Sequence, residues 1–501
     1  MPEKNHFKKV NATDTTWHAA KYIFEHITSS QQIEDLEDNE LALVWSDSQW
    51  PDNHADPKVM EAIKNHKNDK NLLVNYFPEA SEIFRKDILA ENIRLLEDLY
   101  PGQFDTLIPK SWCLPQEYQK FDKYVKEQAF SPAAQESQNI PLLQSSTTPD
   151  QYYIVKPNDE QRGCGIYITE NPNRDLNEQS DVVVSKYIGN PLTVDGFKVD
   201  LRIHVLLVSL DPLKIYIHHE GFLRLATEKY EKPKPSNRQD YYMHLTNYSL
   251  NKYNKEGLKK HNYNLSGNDF SVKESEQTIL RSINSFKHFL EQETNRINAE
   301  NFAAMGSNIN PVNLEHQVWE DIKRIVYKTI IASYEDLKKH YEKQLGTSIS
   351  DRHGSKAFQI LGYDIMLDEN YKPWFIEINH NPDLDDDPFI AAMSSRKLIC
   401  DSLQTVCLEK FGENNQLEMK KVPEDHPYSK FQHMDNLFEE LDCELYKEEL
   451  ERKADLVRHV RRGSAKIIEN YKTLAAGKPV LRLDSSVSGK KCNSNLEKRG
   501  S

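Results

Sequence analysis

Hydrophobic positions along this chain change period several times, and each change marks an element. In GFKVDLRIHVLLVSL, from Gly196 to Leu210, Val199, Leu201, Ile203 and Val205 alternate with Lys198, Asp200, Arg202 and His204. A period of two puts the two sets on opposite faces of a strand. Asp211-Pro212 then turns the chain into a second strand pattern, KIYIHHEGFLRLA. Shorter strand patterns occur at Leu41 to Trp45, at 152–155, at 166–169 and at Asp181 to Ile188. The stretch from Phe358 to Pro382 reads as two apolar runs joined by a polar turn, a β-hairpin.

Helical spacing takes over elsewhere. Trp17, Ile23, Phe24 and Ile27 give residues 1 to about 40 a helical pattern. Ile83, Phe84, Ile88, Leu89 and Ile93 predict one amphipathic helix between Asn75 and Tyr100, stopped by Pro101-Gly102. Glu274 to Arg296 predicts a helix within a polar stretch, 255–312, that reads as an insertion. Trp319, Ile322, Ile325, Val326 and Ile330 recur at helical spacing, and Phe389 to Phe411 reads as a closing helix. Gln128 to Gln151, rich in Ser, Gln, Pro and Ala, predicts a mobile loop. The fold class is therefore α/β (α+β) with antiparallel sheets. Its expected divisions are an N-terminal α/β domain at 1–75, a connecting helical region at 76–155, core parts at 156–254 and 313–411 flanking the insertion, and a helical basic tail at 412–501 with a disordered end.

Three stretches carry chemistry. If the hairpin of 358–382 is centred between Asn370 and Tyr371, Asp364 falls opposite Glu377, and Asn379 follows on the same face. Two carboxylates and an amide oxygen suit Mg²⁺ completed by phosphate; an edge hairpin with polar residues facing water fits the same pattern. Lys156-Pro157 opens a polar loop carrying Gly163 and Gly165, followed by a strand and not by the helix of the Walker or Rossmann patterns. A β-hairpin flap with Lys156 as a phosphate contact, or an ordinary hairpin turn, accounts for it. The Lys198 to His204 face either is solvated or lines a cleft, with Arg202 placed to bind developing negative charge. MHLTNYSLNKYN, from Met243, is a capped turn or a polar binding segment.

Composition narrows the classes. With 501 residues the chain has room for two or three domains. Its 38% hydrophobic and 28% charged residues exclude global disorder. No apolar run approaches the ~18 residues of a membrane span, and residues 1–10 show no secretory pattern, so a cytoplasmic, membrane-free protein is expected. Six scattered cysteines without a CxxC pair suggest neither zinc nor a disulfide framework. A net charge of −14 argues against general nucleic-acid binding. Within it, residues 431–450 carry seven acids against one base, and 451–501 thirteen bases against five acids. Arg458, Arg461, Arg462 and Lys466 share one helical face, which is either solvated or faces an anionic partner.

FRKDILAEN at 84–92, SWCLP at 111–115, IVKP with RGCGIYI, DGFKVDLR, MHLTNYS and LGYDIMLD with KPWFIEIN occur in this order over about residues 40–408. Together they resemble the tubulin tyrosine ligase-like family, and within it the polyglutamylases. The resemblance implies an ATP-grasp-like core and an ATP-dependent ligase that adds free glutamate to glutamate side chains of the tubulin tail through an acyl phosphate. It implies that ATP meets Lys156, Arg162, the Gly163 to Gly165 flap, the Ser185, Lys186, Tyr187 and Ile188 hinge, Lys198, Val199, Asp200, Thr246 and Asn247. Asp364, Glu377 and Asn379 match the family's magnesium ligands; Arg224, Tyr248 and Ser249 match positions holding the incoming amino acid. Arg162 and His380 lie where the acceptor is sensed, and Arg202, with Lys156, serves the transferred phosphate. Three features depart from the family pattern: Ser185 stands where glutamine is common, His380-Asn381-Pro382-Asp383 replaces a serine-proline-serine run, and the position of a family lysine after HLTNYS is not given by the sequence, because 255–312 diverges. Tubulin and microtubules are the implied partners, with a monomer at the cytoskeleton, in a cilium or basal body. Glycine ligation and a catalytically silent microtubule-binding protein are the competing expectations.

Overall fold

The computed structural model describes residues 7–11, 18–27, 41–46, 63, 72–99, 107–129, 152–158, 163–260, 279–305, 310–345, 356–384, 389–411 and 438–441. Its strands are β1 (Phe7–Asn11), β2 (Leu41–Val44), β3 (Leu72–Val74), β4 (Ser111–Leu114), β5 (Tyr153–Pro157), β6 (Tyr167–Thr169), β7 (Val182–Lys186), β8 (Thr193–Val194), β9 (Phe197–Leu210), β10 (Leu213–Lys229), β11 (Leu280–Ser282), β12 (Gln359–Leu367), β13 (Pro373–Asn379) and β14 (Phe438–Glu440). They form three sheets. β1, β2 and β3 are parallel; β4-β7-β5-β6 is antiparallel. The largest sheet runs β11-β10-β9-β12-β13, with β14 on β10 and β8 on β9, and is antiparallel throughout.

The alternation of β9 explains how this sheet is covered. Val199, Leu201, Ile203 and Val205 are fully buried and pack with Ile322, Val326 and Ile330 of the Leu314–Leu345 helix. On the other face, Leu206 and Val208 lie under Leu398, Ile399 and Leu403 of the Phe389–Phe411 helix, beside Phe24 and Trp45. Each such aliphatic side chain contributes about 1.5–3 kcal/mol relative to exposure. The closing helix covers only the far half of that face. The near half, Lys198 to Arg202, is left to the site.

Four elements differ from the sequence reading. The stretch expected as one helix between Asn75 and Tyr100 is two: Ala80–Ile83 and Lys86–Leu99, broken at Phe84 and Arg85. The break lets consecutive Ile83 and Phe84 both bury while Arg85 pairs with Asp87 and Lys86 opens the second helix. Residues 7–11, within the expected helical pattern, form β1, stabilised by β2 rather than by local periodicity. The helix of the polar stretch is Ile283–Met305, preceded by β11 on the edge of β10; Ile279, Ile283, Phe286 and Leu290 join the main core, so this part belongs to the scaffold. Residues 438–440, within the expected helical tail, are a strand held on β10, where Glu439 takes Lys323, the Trp319 indole nitrogen (3.3 Å) and His219 (3.0 Å). The first two residues of the loop expected at 128–151 end the Tyr118–Ala129 helix; the rest of it, the basic helix face at 458–466, Trp17 and Arg162 lie outside the described residues.

Candidate active site

One cleft separates the four-stranded sheet from the near end of the large one. β5 and β7 supply Ile154, Lys156, Val183 and Ser185; β9, β10, β12 and β13 supply Lys198, Asp200, Arg224, Asp364 and Glu377. The Lys86–Leu99 helix and the 244–247 turn close it. Aliphatic walls and a convergent polar set are the usual character of a ligand site.

The charged centre follows from strand register. Asp200 on β9 stands opposite Arg224 on β10, Arg202 on β9 opposite Asp364 on β12, and Asp364 opposite Glu377 on β13. Directly opposed residues project to the same side of a sheet. Arg224 Nε donates to Asp200 Oδ1 at 2.7 Å and its Nη2 reaches Asp364 Oδ2 at 2.8 Å. Arg202 Nε donates to Asp364 Oδ1 at 2.5 Å, and Thr246 Oγ1 to Asp200 Oδ2 at 2.8 Å. Burial alone would raise the Asp364 carboxyl; the charges of Arg202 and Arg224 outweigh it and hold the group below the usual carboxylate range.

Gly362 makes the Arg202 approach possible. A Cβ there would stand 2.9 Å from Pro382 Cβ and 3.2 Å from Arg202 Cδ. Gly362→Ala should therefore push Arg202 off Asp364 and cost about 1–3 kcal/mol through overpacking. Urea denaturation beside the parent protein measures that cost, and an unchanged midpoint would show the neighbours can yield.

Lysines ring the carboxylates. Lys198 Nζ donates to Tyr187 Oη and to the His244 carbonyl, both at 2.9 Å, leaving one of its three hydrogens for a ligand. Burial brings its amine down to about 7, against the pull of Asp200 and with a further push from Lys156. Burial also lowers Lys156, with Glu377 opposing. Tyr187 Oη lies 3.0 Å from Nδ1 of His244, whose imidazole burial and Lys198 depress to about 4. Lys86 Nζ sits 3.3 Å from Glu377. The sequence reading gave Lys86 no role: its only signal was its place in FRKDILAEN, and the helix break that aims it is a tertiary feature.

Of the residues expected at the site, Lys156, Ser185, Lys186, Tyr187, Ile188, Lys198, Asp200, Arg224, Thr246, Asn247, Asp364 and Glu377 line this cleft. Arg202 reaches it through Asp364. Val199 does not: its side chain points into the core, one strand position out of phase with Lys198 and Asp200. Gly163 and Gly165, at φ 83° and 68°, turn beside Leu250 with Asn247 and beside Pro157, respectively. Asn379 lies opposite Gly362 and donates to its carbonyl at 3.4 Å. Tyr248 packs against the main core, Ser249 is half-buried, and the His380 carbonyl accepts from Gln359 at 2.7 Å; none of the three is on the cleft wall. Among the described residues no three His, Cys, Asp or Glu side chains converge on one point.

The tubulin-tyrosine ligase family model matches residues 64–313 and 281–415, which include every strand of this cleft. The chain belongs to the tubulin-tyrosine ligase family. Among its relatives in that family, it is 31% identical over 386 residues to tubulin polyglutamylase TTLL13 of Homo sapiens, covering 77% of this chain and 39% of that one. It is 30% identical over 412 residues to a Tetrahymena thermophila protein named a probable beta-tubulin polyglutamylase, covering 82% and 30%. It is 30% identical over 385 residues to tubulin polyglutamylase TTLL6 of Homo sapiens, covering 77% and 36%. The matched region thus spans less than half the length of these relatives. No described helix is long and apolar enough to cross a membrane.

Proposed function

We propose that this family member is an ATP-dependent carboxylate–amine ligase that adds glutamate to glutamate side chains of the tubulin C-terminal tail. The observation that carries the reading is the convergence of Lys86, Lys156, Lys198, Arg224, Asp364 and Glu377 in one cleft with aliphatic walls. Polyglutamylase relatives over most of the chain support the substrate class. The donor set fits magnesium carried by a nucleotide. Asp364 and Glu377 are hard oxygen ligands placed side by side, and Mg²⁺ commonly takes one or two carboxylates and completes its shell with phosphate and water.

In this reading Asp364 and Glu377, with Asn379, hold the magnesium of the nucleotide, and ATP when bound supplies the phosphoryl group that makes an acceptor carboxylate an acyl phosphate. Lys86, Lys156 and Lys198 neutralise phosphate oxygens. Asp364 stays ionised at neutral pH because Arg202 and Arg224 offset its burial. The two guanidiniums suit carboxylate and phosphate geometry; on the family resemblance we assign Arg202 to the acceptor side and Arg224 to the incoming amino acid. The Gly163 to Gly165 turn serves as a flap that excludes water. Tubulin and free glutamate are the proposed substrates, and the cytoskeleton the proposed place of action.

Mass spectrometry of tubulin incubated with the protein, ATP, Mg²⁺, glutamate and glycine should show additions of glutamate that require ATP. Additions of glycine would change the donor, and no addition of any amino acid would overturn the ligase reading. Lys86→Ala should raise the ATP concentration for half-maximal rate by about ten- to a hundredfold, by removing one charge-assisted contact worth about 1.5–3 kcal/mol. An unchanged ATP dependence would place Lys86 in structural support of Glu377 alone.

A further inference from the structure

MHLTNYSLNKYN supplies Thr246 and Asn247 to the cleft, and the residues at its end lie outside the charged centre. Tyr248–Asn251 is one turn of helix, and Lys255–Lys260 a second helix after it. Between them Lys252 and Tyr253 stand exposed, Tyr253 at 70%. The Lys252 amine lies 5.7 Å from the centre of the Tyr248 ring and 5.4 Å from that of Tyr253, so two tyrosines flank one cation. Lys255 is exposed on the same stretch, and among the described residues neither lysine pairs with a carboxylate. Residues 252–260 carry four lysines against one glutamate.

Lone exposed side chains are ordinary on a protein surface; what distinguishes these is their mount. Asn251, next to Lys252, is fully buried. Its Oδ1 accepts from Thr227 N at 2.9 Å and from Thr227 Oγ1 at 2.7 Å, and its Nδ2 donates to the carbonyls of Leu245 at 2.8 Å and Asn247 at 3.1 Å. The whole hydrogen-bonding capacity of that amide is spent on fixing the segment to β10. Asn254 adds a second anchor, donating to Thr227 Oγ1 at 2.9 Å and accepting from Gly257 N at 3.1 Å. Gly257 packs so closely that a Cβ on it would stand 2.8 Å from Thr227 Cβ. Side chains carried on a backbone held this way lose less freedom on meeting a partner. The same segment sets their place: from Asn247 on the cleft wall to Lys252 the helical turn rises about 7.5 Å, which two or three residues of extended peptide cover. Leu250 abuts the flap, since a Cβ on Gly163 would stand 2.7 Å from Leu250 Cδ1. Lys252 and Tyr253 therefore stand at the mouth of the cleft, on the flap side.

We propose that Lys252 and Tyr253 form a docking surface for the acidic peptide that carries the acceptor glutamate, Lys252 meeting one of its carboxylates and Tyr253 lying along the residue beside it. The proposal rests on the ligase reading of the cleft and adds the residues that hold the acceptor outside it. Charge complementarity selects the occupant: two lysines without carboxylate partners suit a glutamate-rich chain. An exposed contact of this kind acts chiefly on encounter and weakens with salt.

The test is fluorescence anisotropy of a labelled, glutamate-rich tubulin-tail peptide titrated with the full chain at low salt, beside the rate of glutamate addition to the same peptide. Lys252→Glu should weaken peptide binding by about fivefold or more and raise the peptide KM by a similar factor, with the KM for ATP within about twofold of the parent. Tyr253→Ala should weaken the peptide by about threefold, and Tyr253→Phe should restore it, because the ring is the contact. Lys123→Glu makes the same charge change on the exposed face of the Tyr118–Ala129 helix and should leave peptide binding unchanged. An equal loss in Lys123→Glu would reduce the effect to net charge and overturn the proposal, as would parent-like peptide binding by Lys252→Glu. Lys252→Gln gives the same reading where the charge reversal impairs folding. Glutamate addition with a parent-like peptide KM in these Lys252 variants overturns the docking surface and leaves the ligase reading standing. No addition of any amino acid by the parent protein overturns both.

Discussion

Asp364→Asn protein is expected to lose ATP-dependent ligation by a hundredfold or more and to unfold about 3 kcal/mol more easily, because breaking a buried ion pair leaves its partners uncompensated. The partners are specific. Arg224 keeps Asp200, but Asp364 is the carboxylate that both oxygens of the Arg202 pair come from. The asparagine has nearly the same shape, so packing is retained and charge is the variable. Urea denaturation gives the stability term, and mass spectrometry of tubulin gives the activity. A variant with full activity and an unchanged midpoint would remove Asp364 from the centre of the site.

The second large effect is a pH dependence centred on Lys198. Burial places its folded amine at about 7, against about 10.4 in an unfolded chain. Between those values the unfolded state binds the extra proton, so the Lys198 contribution to stability rises with pH from about 7 upward and is flat below it. Phosphate binding works the other way, since an anion beside the amine favours its charged form. Above pH 7, nucleotide binding should therefore take up close to a proton at this site, and affinity should fall by up to about tenfold per pH unit. Calorimetry at pH 8.5 in two buffers of different ionisation enthalpy counts the protons, and Lys198→Met should remove that uptake. Equal enthalpies in the two buffers for the parent protein would show that Lys198 does not meet the phosphates.

These effects arise from contacts of very different sequence separation, which decided how much could be read beforehand. The alternation of Val199 to Val205 with Lys198 to His204 is local, and the strand it predicts forms with the predicted faces. The hairpin of 358–382 is also local. Its register places Asp364 opposite Glu377, although a bulge between Asp364 and Ile365 shifts the pairs beyond. The Phe389–Phe411 helix likewise follows from its own apolar residues. β1 and β14 could not be read this way, because a short strand owes its existence to the edge it joins. The helix break at Phe84 and Arg85 interrupts an apolar pattern that is continuous in the sequence.

By itself, then, the amino-acid sequence determined the strands that carry Lys198, Asp200, Arg202, Asp364 and Glu377, since period-2 alternation needs no partner to set which side chains share a face, whereas Lys156, expected to open a loop, lies within β5. The motif order it carries also marked the family that the comparison with known proteins shows. Tertiary structure decided how those faces meet. Only strand pairing brings Arg224 and Arg202 onto the two acids, 162 positions separating Arg202 from Asp364. Only the broken helix aims Lys86 at Glu377. Only the pairing of β4 with β7 sets the Ser185 hydroxyl 2.7 Å from that of Ser111, because strand register alone brings those two positions opposite each other.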